Sequence, residues 1–444
     1  MVRILKKLFL NELEDVHTSE VIKNTVITFT LKILALVLSY IFNFIISRFY
    51  GASVLGLLNI AITTISLCGI FSTLGFDQAI LRFSAQFSHN KSFIFQIYKK
   101  MATIALLSSV IISSLLMIFS AKLSMVLTKT FEHNMLFIII STSIPFFTIG
   151  AINTEAVRGL KLIKESEFFR MLLGSIINLA IFALLVLIMP FHIYLPIFSS
   201  ISGIFITAMI SFIYLLKKIS PKHLDKRELK LTTTEIFTVS LPMLAISLAN
   251  VISHYIPIFL LAYFKTTKDV GIFNIALKIA TVTSFILISI NSIVAPKFAE
   301  LYWSNQLEDL KKTVKIASKL NYWTSTPFLI LFFLFPDFFM GIFGEEFKDG
   351  STALVILSIG QFVNAFSGSV GYFLTMTGKQ QIFSNILVLS MILNGLLSVI
   401  LTPLFGINGC AIGFTAGMVF WNIVSLIYIK KRYGIETYYL PFVD

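Results

Sequence analysis

Carboxylates are what this chain has least of among its charged groups: 22 Asp and Glu stand against 35 Lys and Arg in 444 residues. None lies well inside an apolar stretch, because Asp77, Glu155, Asp337 and Glu345 all sit near ends or in loops. Cysteine is nearly absent too. Cys68 and Cys410 fall within separate apolar stretches and read as small apolar residues, not as a disulfide or metal pair. The six histidines (His17, His89, His133, His192, His223 and His254) are scattered, and none belongs to a His-Glu-x-x-His motif. No metal site is therefore expected. A Gly-x-x-x-x-Gly-Lys-Ser/Thr loop is missing, so ATP is not the direct driver and no cofactor is implied. Glu345, Glu346 and Asp349 read as an exposed acidic loop and not as a cation site. With no enzyme signature, the chain is not expected to be an enzyme. The longest polar segment is about twenty residues, too short for a folded basic domain that would bind nucleic acid.

What is there instead is hydrocarbon. The chain is 57% hydrophobic and only 13% charged, with a mean hydropathy of +0.89, which identifies an integral membrane protein. Crossing a bilayer takes about 20 helical residues. Twelve stretches are long enough, and we number them as spans 1 to 12: 25–47, 52–74, 101–127, 134–157, 171–190, 193–216, 236–264, 270–295, 321–343, 350–376, 383–403 and 407–429. The start has no positive-then-apolar-then-small cleavage pattern, so no removable signal peptide is expected. Residues 1–24 alternate short apolar and charged runs, as an amphipathic helix lying on the membrane surface does. Of the Lys and Arg, 27 fall in one set of alternate connections and six in the other: Arg48, Lys122, Lys129, Lys265, Lys268 and Lys348. The positive-inside rule places both termini in the cytoplasm.

The chain also repeats itself. Residues 49–83 align without a gap on 264–298, a register of 215, with Phe49 on Phe264, Gly56 on Gly271, Asn59 on Asn274 and Arg82-Phe83 on Lys297-Phe298. The basic segment 217–235 divides the chain into 25–216 and 236–430, six spans each, followed by a cytoplasmic tail at 431–444. Because six is even, both copies enter the membrane in the same sense. The expected fold is all-α, with twelve transmembrane helices in two six-helix lobes related by a parallel internal repeat. The repeat further predicts matching surface helices after spans 2 and 8. In the second, Leu307, Leu310, Val314 and Ala317 are spaced as a one-sided helix requires.

Polar residues inside the spans carry the functional signal. Lys32, Ser39 and Asn43 share a face of span 1, and Asn59, Thr63 and Ser66 a face of span 2. Ser247, Asn250 and His254 do so in span 7, and Asn274, Lys278 and Thr281 in span 8. The 215 register pairs Lys32 with Ser247, Ser39 with His254 and Thr63 with Lys278. Such stripes face a helix contact or water, not lipid. A charge at mid-bilayer costs about 3 kcal/mol on insertion scales, so Lys32 and Lys278 are expected to line something wet. Alternatives stay open: Lys32 can snorkel to the headgroups, His254 can be an interhelical donor, and Asn59 and Asn274 can be helix–helix glue. Span 7 carries Pro242 and Pro257, each of which removes a backbone donor. A hinge is one reading of the pair and static strain relief another.

Certain motifs resemble the O-antigen-type polysaccharide repeat-unit flippases: Ser47-Arg48-Phe49-Tyr50-Gly51, Gly56-Leu57-Leu58-Asn59, Leu74-Gly75-Phe76, Arg82 and Arg158-Gly159-Leu160-Lys161. Late in the chain, Met376-Thr377-Gly378-Lys379, Asn394 and Pro403 through Gly413 are similar to that family's last three helices. The resemblance covers nearly the whole chain. It implies a protein of the bacterial inner membrane that moves an undecaprenyl-pyrophosphate-linked oligosaccharide from inner to outer leaflet by alternating access, for O-antigen or capsule assembly. A polymerase or chain-length regulator of the same pathway would be its partner, besides membrane lipid. It also implies a cationic central cavity, for which Lys32, Ser39, Asn43, Asn59, Thr63, His254, Asn274 and Lys278 are the candidates. Arg82, Arg158 and Lys297 would stand at its cytoplasmic mouth and Arg48 at the outer end of span 1. A cation-coupled multidrug or small-molecule antiporter of the same superfamily is the alternative. Its relatives rely on intramembrane carboxylates, which are missing here. A membrane polymerase is a more distant reading, since such enzymes generally carry a sizeable outer loop and every outer connection here is short.

Overall fold

The computed structural model describes residues 16–87, 90–189, 191–220 and 232–439, with some side chains excepted. The surface helix expected at 1–24 falls mostly outside these residues, as does most of the 217–235 link. Residues 16–24 run without interruption into span 1. Every regular element among the described residues is helical. Among the described residues, seven helices are long and apolar enough to cross a membrane. Two of these, Thr28–Thr73 and Gln380–Tyr433, each hold a pair of expected spans, so the seven account for nine of the twelve. Spans 7, 8 and 9 are the helices Thr233–Phe264, Thr267–Trp303 and Leu307–Leu334.

Glycine marks the folds within the two double helices. Gly51 (φ 79°) turns the chain between spans 1 and 2, and Gly406 (φ 55°) between spans 11 and 12. An L side chain at such φ is strained, which glycine avoids. After Gly406, Gly409, Gly413 and Gly417 recur every four residues on one face. A Cβ on Gly413 would meet the Ser398 backbone, and one on Gly417 would come within 3.0 Å of the Ser390 carbonyl. Spans 11 and 12 thus pack backbone to backbone, the small-residue contact that replaces hydrophobic driving force in a bilayer.

Contacts divide the chain into two compact units, each discontinuous in sequence. The first comprises 1–42, 65–118 and 138–247. Its core joins Phe76, Ile80 and Phe83 to Ile94, Ile97 and Met101, with Leu215, Ile219 and Ile236. Gly75 (φ 76°) sits so close to span 7 that a Cβ there would fall on the Ser240 carbonyl. The second unit comprises 43–64, 119–137 and 248–444. It is centred on Phe298, Leu310, Val314 and Phe373, closed by Ile429 and Ile435.

Inside the second unit the repeat becomes visible. A Cβ on Gly56 would fall on the Thr267 carbonyl and 3.2 Å from the Gly271 amide nitrogen. One on Gly271 would fall on the Ala52 carbonyl and 3.1 Å from the Gly56 amide nitrogen. Ala52 and Thr267, like Gly56 and Gly271, are 215 residues apart, so the contact is reciprocal. Asn59 and Asn274 follow on the next turn with equal exposure, 8% each.

The copies differ in two respects from expectation. The first copy breaks at Leu74 and Gly75, both at positive φ, before a short helix Phe76–Gln86. The second stays helical through the equivalent positions to Trp303. The stripe Leu310, Val314 and Ala317 is buried as its spacing requires, but Leu307 is exposed. The predicted second surface helix is no separate element. It forms the first turns of the helix that continues as span 9, because no glycine or proline intervenes between 307 and Pro327.

The glycine crossing makes a direct prediction. Gly56→Ala and Gly271→Ala should each lower the thermal unfolding temperature in detergent by several degrees, since a methyl has no place between the two backbones. Gly150→Ala, whose Cβ would meet Ala208 at an ordinary 3.5 Å, should be neutral or slightly stabilising. Equal behaviour of all three would show that the backbones do not meet at Gly56 and Gly271.

Candidate functional site

The polar stripes are present but chemically uneven. Lys32 and Ser39 are half-buried in span 1, and Asn43 is buried one turn further on. In span 2, Thr63 is buried and Asn59 donates from Nδ2 to the Leu55 carbonyl at 2.8 Å. Part of that amide is therefore satisfied within its own helix. In span 8, Asn274 is equally buried, but its Oδ1 has no hydrogen-bond partner. Lys278 is half-buried, and Thr281 donates back to the Leu277 carbonyl at 2.9 Å. The side chains of Asn250 and His254 lie outside the described residues. Span 7 is a single helix, Thr233–Phe264, that runs through both Pro242 and Pro257. Pro257 is buried, and its carbonyl accepts from Cys410 Sγ at 3.4 Å.

Two of the three residues assigned to the cytoplasmic mouth are engaged locally. Lys297 pairs with Glu300 at 2.9 Å, and Arg158 lies 3.5 Å from Glu155. Arg82 is exposed. Glu155 also meets Arg170 at 3.3 Å, and Arg170 pairs with Glu167. Both carboxylates are buried. Sequence reasoning placed Glu155 near a helix end but missed this cluster, since Glu167 and Arg170 gave no periodic signal. Arg170 lies in a π-helical stretch, Phe168–Leu173, between the helices Ile163–Glu167 and Gly174–Ile188. The wider turn there is of the kind often found at functional positions.

Glu345 and Asp349 are exposed, as the reading of an acidic loop requires, while Glu346 is half-buried. Glu346 accepts the Ala52 amide at 2.6 Å across 294 residues of sequence. Glu345 pairs with Lys348 at 2.7 Å and Asp349 with Lys268 at 3.1 Å. Arg48 donates to the Ile342 carbonyl at 2.8 Å. Lys129 donates to the Tyr263 carbonyl, and Lys265 to that of Pro403 at 3.1 Å. Charge near an exposed helix terminus is favourable with the right sign, cations at carbonyl ends and carboxylates at amide ends. Each of these contacts with a helix end obeys that rule.

This fold and these side chains describe an all-helical, multi-pass membrane protein. Its likeness to solved structures agrees. A multidrug resistance MATE family transporter of the MOP superfamily, in an inward-facing conformation, superposes with a TM-score of 0.70 at 15% identity, over 92% of this chain and 98% of that one. The chain belongs to the polysaccharide biosynthesis protein family, whose model matches residues 21–302. The MatE model matches 242–400. Among curated relatives, "Probable low-salt glycan biosynthesis flippase Agl15" of Haloferax volcanii is 23% identical over 40% of this chain and 38% of its own length. "Capsular polysaccharide biosynthesis protein CapF" of Staphylococcus aureus is 25% identical over 53% of this chain and 59% of its own. The match thus spans about half the length of these relatives.

The buried ion cluster separates two kinds of arginine. Arg170→Met leaves Glu155 and Glu167 short of their shared partner and should destabilise by on the order of 2 kcal/mol, below the full figure for a buried pair because Arg170 is a third exposed. Arg158→Met should cost less than about 1 kcal/mol. Thermal unfolding in detergent measures both, and a larger loss at Arg158 would contradict the assignment.

Proposed function

We propose that this protein is a flippase that carries an undecaprenyl-pyrophosphate-linked oligosaccharide repeat unit from the inner to the outer leaflet of a bacterial cytoplasmic membrane. The product would feed O-antigen or capsule assembly. The observation that carries this reading is the sign of the charge in the polar stripes, Lys32 and Lys278, in a chain of the polysaccharide biosynthesis family. An anionic pyrophosphate drawn to membrane depth needs a cationic partner there, whereas a neutral cargo does not. Lys32 and Lys278 supply that charge in this reading. Ser39, Asn43, Asn59, Thr63, His254 and Asn274 offer hydrogen bonds suited to a hydroxyl-rich glycan. Arg82, Arg158 and Lys297 attract the headgroup at the cytoplasmic mouth. The membrane potential acting on the anionic cargo is a sufficient drive.

Transport follows by alternating access of two six-helix lobes, 25–216 and 236–430, with both termini in the cytoplasm. Pro242 and Pro257 give span 7 two places where a backbone hydrogen bond is already absent, so bending there costs less than elsewhere. A polymerase or chain-length regulator of the same pathway would receive the flipped unit. The MatE match at 242–400 favours a second reading, a multidrug or small-molecule antiporter. Drug susceptibility of a deletion strain separates the two, since only the antiporter reading expects it to change without loss of surface glycan.

Lys32→Ala and Lys278→Ala should each reduce export of surface glycan at least tenfold with membrane insertion unchanged, and Arg should restore more than Gln at either position. Normal export by both Ala variants would remove these lysines from the pathway. Pro257→Ala should slow transport a few-fold at normal expression. A helix 233–264 of the same shape in inward-open and outward-open states would put the hinge elsewhere.

A further inference from the structure

Spans 2 and 8 begin at equivalent positions of the repeat, yet their first turns are capped in different ways. Span 8 caps itself. Thr266 accepts from the Asp269 amide at 3.3 Å, and Asp269 accepts from the Thr266 amide at 3.0 Å, a reciprocal box. Shifted by 215, Thr266 and Asp269 become Gly51 and Val54, neither of which has a side chain able to cap. The orphan amide of Ala52 is instead satisfied by Glu346, from the loop between spans 9 and 10. At the neighbouring helix end, Pro336–Gly341 closes on its own backbone, with the Gly344 amide on the Gly341 carbonyl at 3.1 Å, and a charge from the other half adds to it. Arg48 Nε reaches the Ile342 carbonyl at 2.8 Å and Nη2 the Gly341 carbonyl at 3.4 Å. A third tie has the same form: Lys129 donates to the Tyr263 carbonyl at the end of span 7 and lies 5.1 Å from the Tyr263 ring centre.

All three ties join residues before the 217–235 link to residues after it. Each sets one charged side chain on the backbone end of a helix from the other half. We propose that Arg48, Glu346 and Lys129 form an outer clasp, in which the two halves cap each other's helices while the outer side is closed and lose those caps when it opens. The physical logic lies in the missing local cap of span 2. A helix end that can cap itself, like span 8, is indifferent to what lies opposite. The start of span 2 is satisfied by protein only when the 342–350 loop is against it. The charge signs add to this, with cations at two carbonyl ends and a carboxylate at an amide end. The positions also suit a reversible contact, since Arg48 is exposed and water can take over each partner on opening. The clasp deepens the transport reading given above, and rests on it for the claim that opening belongs to a transport cycle.

Spin labels on the exposed residues Ser53 and Glu345, as S53C and E345C in a protein carrying C68A and C410A, test the clasp without any cargo. The native clasp should give one short distance. Arg48→Ala and Glu346→Gln should each add a longer population of at least a quarter of the molecules, and Arg48→Lys should restore the short one. An unchanged distribution in both variants overturns the proposal. In cells, Arg48→Cys with Ile342→Cys, joined by a short thiol-reactive crosslinker, should stop glycan export at least tenfold, with recovery on reduction. Export unaffected by the crosslink also overturns it. Spin-label widening in a protein that exports no glycan under any condition would uphold the clasp and reject the flippase.

Discussion

Two backbones meet at Gly56 and Gly271 with no side chain between them, and that approach ties span 2 to span 8 within the second unit. Carbonyl and amide groups of spans 2 and 8 lie at distances that a single methyl would abolish. In hydrocarbon, helices gain little from burying apolar side chains against each other, so close backbone packing becomes a main source of attraction. The same device recurs at Gly409, Gly413 and Gly417 between spans 11 and 12. What distinguishes the Gly56–Gly271 crossing is its reciprocity: each strand of the contact is the 215-shifted image of the other. An internal repeat leaves such a mark where its symmetry axis passes through the chain.

Polar side chains inside the spans mean less individually than their spacing suggests. Thr64, Thr148 and Thr281 return their hydroxyls to carbonyls three or four residues earlier, and Asn59 does the same with its amide. A side chain satisfied within its own helix can face lipid, protein or water at similar cost. A lysine differs, since its ammonium brings three donors and no acceptor, and a single carbonyl of its own helix leaves most of it unsatisfied. The cations therefore carry more of the functional argument than the hydroxyls and amides arranged around them.

Charged groups at the membrane margins follow a different rule. Glu155 and Glu167 are buried against Arg170, with Arg158 at the edge, and none of the four lies at the middle of a span. Arg48, Lys129 and Lys265 grip carbonyls, while Glu346 grips an amide. A carboxylate-poor chain with 35 basic residues thus places many of its acids where a helix end, an arginine or a lysine holds them.

The sequence alone determined which segments are apolar helices, that the chain repeats with a register of 215, and that Lys32 and Lys278 are charges within spans. These are local properties, set by hydropathy over about twenty residues and by side-chain identity, and they survive without knowing any neighbour. It also gave the buried stripe at Leu310, Val314 and Ala317, because helical period is local as well. It did not reveal that this stripe continues unbroken into span 9, since the end of a helix depends on what its last turn meets. Nor did it reveal the role of Glu346, which looked like one acid among three in an exposed loop. Its partner is an amide 294 residues away, and no pattern in either segment names the other. Glu155, Glu167 and Arg170 were obscure for the same reason. Only the tertiary structure decides which helix end lacks a cap and which side chain is near enough to provide it.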